Sequence, residues 1–223
     1  MSLDRLAWTR VPAGALLVVP LGATEQHGPH LPLGTDTAIA SALCAGLVGA
    51  WVGAPIVVAP AVAYGSSGEH GGFAGTLSIG QAGLELVVVE LVRSADAFAG
   101  TVLVSAHGGN AEPLARAVAT LTAEGRRVLA WAPRLPTGDA HAGRTETSLM
   151  LAIAPGDVDL EAAAAGDTRP LTTLAPALRA GGVATVSPNG VLGDPGGASA
   201  EEGRELLAAL TADLLASVRR WAQ

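Results

Sequence analysis

The sequence predicts an α/β fold: a three-layer α/β/α sandwich with a mainly parallel sheet, built as a single domain over residues 1–223. Three observations predict it. Short apolar runs alternate with helical stretches along the whole chain. Each run is nearly continuous in apolar residues, as expected of strands buried on both faces. No internal repeat or linker divides the chain, and 49% hydrophobic against 15% charged residues is enough for one substantial core.

The first strand is expected at Ala15–Pro20, ALLVVP. Asp36 and Thr37 then offer cap groups for a helix to about Ala50, and PIVVAP repeats the strand pattern. Ala63–Gly80 is a long glycine-rich loop with Ser66, Ser67, Glu69 and His70, and loops of such length are usually functional. Leu84, Val87, Val88, Leu91 and Val92 recur at helical spacing within Gln81–Phe98. A third strand, Thr101–Ser105, runs into His107, Gly108 and Gly109, with Asn110 expected to cap the next helix and Pro113 tolerated in its first turn. Arg127–Ala132 is the fourth strand, and His141 and Glu146 lie where the chain becomes helical again. Gly156–Gly182 is alanine-rich and gives no assignment; Gly181–Gly197 reads as loop and short strand, with Asp194 as a turn residue, before a final amphipathic helix over Ser199–Trp221.

Composition excludes several activities. All 13 basic residues are arginine, so a Schiff base, a pyridoxal-phosphate anchor and a Walker P-loop are ruled out. A net charge of -7 without a basic run argues against nucleic acid or an anionic membrane as partner. Cys44 is the single cysteine and is expected in the core of a protein from a reducing compartment. The N-terminal residues show no export signal, so a cytoplasmic location is expected. The uncharged stretch Thr37–Gly68 is interrupted by Pro55 and Pro60 and is not taken as a membrane span.

The chemistry concentrates in Leu21–Thr37, LGATEQHGPHLPLGTDT. Glu25 and His27 leave an extended backbone on one face, and the glycines and prolines that follow allow Asp36 to return to them. The alternative is a polar loop with Asp36 as a helix cap. In a parallel sheet, ligand sites lie beyond the carboxyl ends of the strands. His107, His141 and Glu146 are expected at that same end, which favours a metal site. Glu25, His27, Asp36, His107 and Glu146 are too many donors for one catalytic zinc, so two divalent ions are expected, Zn, Fe or Mn, with Asp36 as the bridge. A water shared by the ions would attack an amide-like carbonyl, and His141 could donate a proton to the leaving nitrogen.

EQHGPHLPLGTD, SAHGGN and HAGRTETS resemble the creatininase family, metal-dependent amidohydrolases with a three-layer α/β/α fold that often form hexamers. By that resemblance Glu25, His27, Asp36 and His107 match metal ligands, and His141 matches a proton-handling histidine. Creatininase itself carries a further ligating glutamate where this chain has Gly109, and the vacated place is assigned to Glu146. Within the family, YGSSGEHGGFAGTLSIG and WAPRLPTGDAHAGRTETS look like the mycofactocin-maturation branch, which implies release of a C-terminal Val-Tyr dipeptide from a modified precursor peptide. A free carboxylate would then suit an arginine, Arg144 or Arg134. His70 and Glu69 could reach the site from their loop, Tyr64 and Trp131 could line a pocket or be core, and His30 is expected to be structural. Two other readings stand beside this one: a relative that opens a small cyclic or formyl amide, and a non-catalytic α/β binding or scaffold protein.

Overall fold

The computed structural model describes residues 1–134 and 139–223, so the middle of WAPRLPTGDAHAGRTETS lies outside the described residues. The middle layer is a parallel sheet of β1 (Leu16–Leu21), β2 (Ile56–Val58), β3 (Gly100–Ser105) and β4 (Val128–Trp131), in the order β2-β1-β3-β4. Leu16 lies opposite both Ile56 and Gly100, and Leu21 opposite Ser105. Every residue of β1 and β3 is buried, which is why their sequences are nearly continuous apolar runs.

The helices are α1 (Thr35–Ala50), α2 (Gly80–Arg93), α3 (Ala111–Ala123), α4 (Arg144–Ile153), α5 (Leu171–Gly181), α6 (Val183–Val186) and α7 (Ala200–Ala222). Side chains alternate across β1, and the two cores follow that alternation. Leu16 and Val18 pack with Leu43 and Leu47 of α1, Met150 of α4 and Leu214 of α7. Leu17, Val19 and Leu21 pack with Leu84 and Val88 of α2 and Leu121 of α3. Helices therefore cover both faces, giving the three layers expected from the sequence. Cys44 is fully buried in the first core, and burial pushes its thiol up to about 12.

Two expectations need correction, and one unassigned stretch is resolved. The helix read as Gln81–Phe98 ends at Arg93, because Ser94 Oγ bonds back to Leu91 O and the chain then turns. The unassigned alanine-rich stretch contains α5, whose Leu174 meets Val183 and Leu192 in a small satellite core. Between Gly181 and Gly197 there is no named strand; Val183–Val186 is a helical turn, and Leu192 makes a lone antiparallel bridge to His141. Asp194 is the turn residue expected, accepting from Gly196 N–H at 2.8 Å. Among the described residues no helix is long and apolar enough to cross a membrane.

α4 and α7 approach so closely that a Cβ added at Gly203 would lie 1.8 Å from Ser148 O. A main-chain oxygen cannot swing aside, so Gly203→Ala must push α7 off the helix that carries Glu146. It is expected to cost about 1–3 kcal/mol in denaturant unfolding, and an unchanged midpoint would show that the contact carries no constraint.

Candidate metal centre

The strand order reverses between β1 and β3, since the chain leaves β1 for β2 on one side and returns to β3 on the other. Both strands open at their carboxyl ends into the candidate ligands. After β1, Glu25 N–H donates to Leu33 O at 3.0 Å and His27 pairs with Leu31, closing a loop that delivers the first turn of α1 back beside β1. His27 Nε2 is thereby 3.2 Å from Asp36 Oδ1. From β3, His107 places Nδ1 3.3 Å from Asp36 Oδ2 and Nε2 3.3 Å from Glu25 Oε2. Asp36 thus turns one oxygen to each histidine.

The residues leading into α4 and its first turn supply the rest. Glu146 Oε2 lies 3.9 Å from His27 Nε2 and accepts Ala142 N–H at 2.6 Å. Ala142 has φ +52, a left-handed conformation that costs an alanine about 1–2 kcal/mol. His141 Nδ1 is 3.8 Å from Glu25 Oε1. The structure brings all five sequence-nominated ligands together with His141, and three overlapping trios of donor atoms (Glu25/His27/Asp36, His27/His141/Glu146, Glu25/His70/His141) each fall within 4.8 Å.

Glu25 and Asp36 are 0% and 1% exposed, yet both Glu25 oxygens and Asp36 Oδ2 lack a hydrogen-bond partner. The imidazole nitrogens that come within 3.2–3.3 Å of these oxygens do not bond to them; the atoms lie side by side. Buried carboxylates left without hydrogen bonds are costly. Two such groups ringed by imidazoles and a third carboxylate fit the donor chemistry of divalent zinc, iron or manganese.

Protonation in the metal-free chain divides the histidines. Burial opposes charge on His27, but Asp36, Glu146 and Glu25 outweigh it and raise the imidazole to about 10. Burial likewise opposes charge on His107, but the nearby Asp36 and Glu25 carboxylates carry it well above the ordinary value. Burial would raise Asp36, yet His27 and His107 hold it below the usual carboxylate range, while burial lifts Glu146 to about 7. Burial lowers His70 to about 4 and His141 well below its ordinary value. An ion entering at neutral pH would have to displace the protons on His27 and His107 and the fraction of a proton on Glu146. Full loading is therefore expected to release between about two and three protons. Calorimetry in two buffers of different ionisation enthalpy measures this, and equal heats in both would contradict it.

The remaining expectations divide. His70 reaches the cluster from its loop, buried and 3.2 Å from Glu25 Oε1. Glu69 stays at the edge, 4.0 Å from His107 Nε2. Asn110 stands at the N-cap position of α3 as expected, but its side chain makes no cap bond: it accepts Ser66 N–H at 3.0 Å and donates to Gly22 O at 3.1 Å, tying the long loop to the end of β1. His30 bonds Thr147 at 2.9 Å, tying the first motif to α4. Trp131 is buried and donates to Asp213 at 2.7 Å, whereas Tyr64 is half exposed. Arg144 places Nε 2.9–3.0 Å from both oxygens of Glu202 at the start of α7. Arg134 lines a groove of about 930 Å³ with Trp131, Asp213 and Trp221. Among the described contacts neither arginine touches the cluster.

Sequence reasoning missed two residues. Gln26, inside the first motif, contacts His70, His141 and Gly190. Asp139 accepts from Arg144 N–H and from Thr145 N–H (3.2 Å), fixing the first turn of α4; its place just before the helix was the available signal.

Residues 4–218 match the creatininase family model, described as creatinine amidohydrolase. The chain belongs to the creatininase family. It is 52% identical over 212 residues to the mycofactocin precursor peptide peptidase of Mycolicibacterium smegmatis, covering 92% of this chain and 85% of that protein. The protein of that name in Mycobacterium tuberculosis is 52% identical over 215 residues, with the same coverage. A solved mutant creatininase superposes with a TM-score of 0.78 at 26% identity over 98% of each chain. Another, titled as a zinc–zinc form, gives 0.76 at 25% identity over 98% of this chain and 97% of that one. The family and the fold implied by EQHGPHLPLGTD, SAHGGN and HAGRTETS are those found.

Proposed function

We propose that this creatininase-family chain is a metal-dependent hydrolase of amide bonds, holds two divalent ions, and releases the C-terminal Val-Tyr dipeptide from the modified mycofactocin precursor peptide. The observation that carries the metal reading is the pair of fully buried carboxylates, Glu25 and Asp36, with oxygens that no hydrogen bond satisfies. The peptide reading is supported by the names of the relatives at 52% identity over most of the chain.

Glu25, His27, Asp36, His107 and Glu146 would hold the ions, whether zinc, iron or manganese. Bound there, such ions supply Lewis acidity and a water acidic enough to ionise near neutral pH. Asp36, with an oxygen toward each of His27 and His107, would keep the two ligand sets at a fixed separation. His141 is poised to move a proton, since its Nδ1 faces Glu25 and makes no hydrogen bond among the described residues. Burial of the cluster keeps bulk water from competing. A single catalytic domain assembled as a cytoplasmic homo-oligomer, a hexamer on the family resemblance, completes the proposal; the net charge of -7 gives nucleic acid no purchase.

The runner-up is hydrolysis of a small cyclic or formyl amide, favoured by 35% identity over 88 residues to the creatinine amidohydrolase of Pseudomonas putida. Chelated and metal-restored protein offered a peptide ending in Val-Tyr, creatinine and a formyl amide decides between them by mass spectrometry. Dipeptide release that disappears with chelation and returns with metal is expected. Release indifferent to chelator would overturn the metal reading, and turnover of the small amides alone would overturn the peptide reading.

A further inference from the structure

We infer that Gln26 fixes His70 and His141 in opposite roles, His70 presenting an N–H to the site and His141 a bare Nδ1, so that His70 is a hydrogen-bond donor to substrate and no metal ligand.

The orientation of the Gln26 amide is set by two backbone groups that allow no choice. Gly28 N–H can only donate, and it reaches Gln26 Oε1 at 2.8 Å; Gly190 O can only accept, and it lies 3.0 Å from Gln26 Nε2. One amide proton remains, and it points to His70 Nδ1 at 2.8 Å. Nδ1 must therefore be unprotonated, which leaves the proton of His70 on Nε2. That N–H makes no hydrogen bond among the described residues, although Glu25 Oε1 is 3.2 Å away. The main chain of the same glutamine acts on the other ring: Gln26 O lies 2.8 Å from His141 Nε2, so Nε2 carries the proton and Nδ1 is the nitrogen left to exchange one. The 3.1 Å approach of Gln26 Nε2 to that ring nitrogen is then a contact and no bond, because both amide protons are spent.

The two rings lie 4.4 Å apart, flanking Glu25 Oε1. A donor beside an acceptor matches the carbonyl oxygen and the nitrogen of an amide bond. His70 N–H would hold the carbonyl oxygen as negative charge develops on it, and His141 Nδ1 would take the proton that the attacking water gives up and pass it to the departing nitrogen as the C–N bond breaks. Of the three donor trios, Glu25/His70/His141 is consequently the poorest metal site, since His70 turns a protonated nitrogen toward it.

The catalytic consequence rests on the amide-hydrolase reading; the tautomers do not. Nitrogen-15 NMR of histidine-labelled protein, loaded with cadmium-113 as the metal probe, tests both. His70 is expected to show a protonated Nε2, a bare Nδ1 and no coupling to cadmium, while His27 and His107 couple. Cadmium coupling at His70, or a proton on its Nδ1, overturns the inference. Missing coupling at His27 and His107 would count against the metal reading instead, with the His70 tautomer still read from the same spectra. Gln26→Glu offers His70 Nδ1 an acceptor and should flip the ring's proton; kcat for the peptide is expected to fall about 10–100-fold, the usual effect of removing a residue that orients another, with KM and metal content nearly unchanged. A flipped ring with unchanged kcat would overturn the catalytic role.

Discussion

Asp36→Asn is expected to lower kcat for peptide cleavage by about 10³-fold or more, the loss of several kcal/mol of charge stabilisation, and to strip the protein of at least one ion. The substitution keeps size and shape, so the effect isolates charge. Asp36 is 1% exposed and stands between His27 and His107, one oxygen to each. As a neutral amide it would present an N–H₂ to one imidazole, which repels a cation and competes with that ring for hydrogen bonds. Neither Glu25 nor Glu146 can replace it, because Glu25 already faces the other nitrogen of His107 and Glu146 sits with His27 and His141. Metal content by mass spectrometry, beside kcat, checks the result. Two ions retained with activity within tenfold of the parent would remove Asp36 from the bridging place.

The strands were legible because burial on both faces leaves mostly apolar residues over Leu16–Leu21 and Gly100–Ser105, with Thr101 and Ser105 the polar members, a pattern that needs no knowledge of partners. The ligand cluster was legible for a related reason: its members sit directly after strands whose carboxyl ends must share one edge in a parallel sheet. What was hidden depends on distant partners. Gln26 gains its meaning from Gly190, 164 residues away, and Asn110 from Ser66, 44 residues away, so a local reading assigned Asn110 the commonplace role of cap. Arg144 looked available for a substrate carboxylate until Glu202, 58 residues on, was found beside it. α5 escaped because Pro176 lies within it and its apolar face covers only a small satellite core.

Gly109→Ala is expected to reduce activity by about 10–100-fold through displacement of an orienting shell, although it adds a single methyl group and removes no ligand. A Cβ at this position would lie 2.3 Å from Ser66 O, 2.5 Å from His107 Nε2 and 2.6 Å from Glu69 Oε1. Glu69 can move, being at the edge of the site. Ser66 O cannot move cheaply: it accepts from His107 Nε2 at 3.0 Å, and the Ser66 N–H is held by Asn110 at 3.0 Å. Relief must come from lifting the Gly65–His70 stretch, which frees His107 to rotate and carries His70 away from Glu25, or from turning His107 off Asp36. Either motion weakens the site at Asp36 or at Glu25. Gly108 provides the control, since a Cβ there meets nothing within 4 Å, and Gly108→Ala should change stability by no more than about 0.5 kcal/mol with activity retained. If both alanines behave alike, the glycine at 109 is not what seats the loop on His107. If only Gly109→Ala loses metal affinity and turnover, the absent side chain is a requirement of the site as definite as any ligand present.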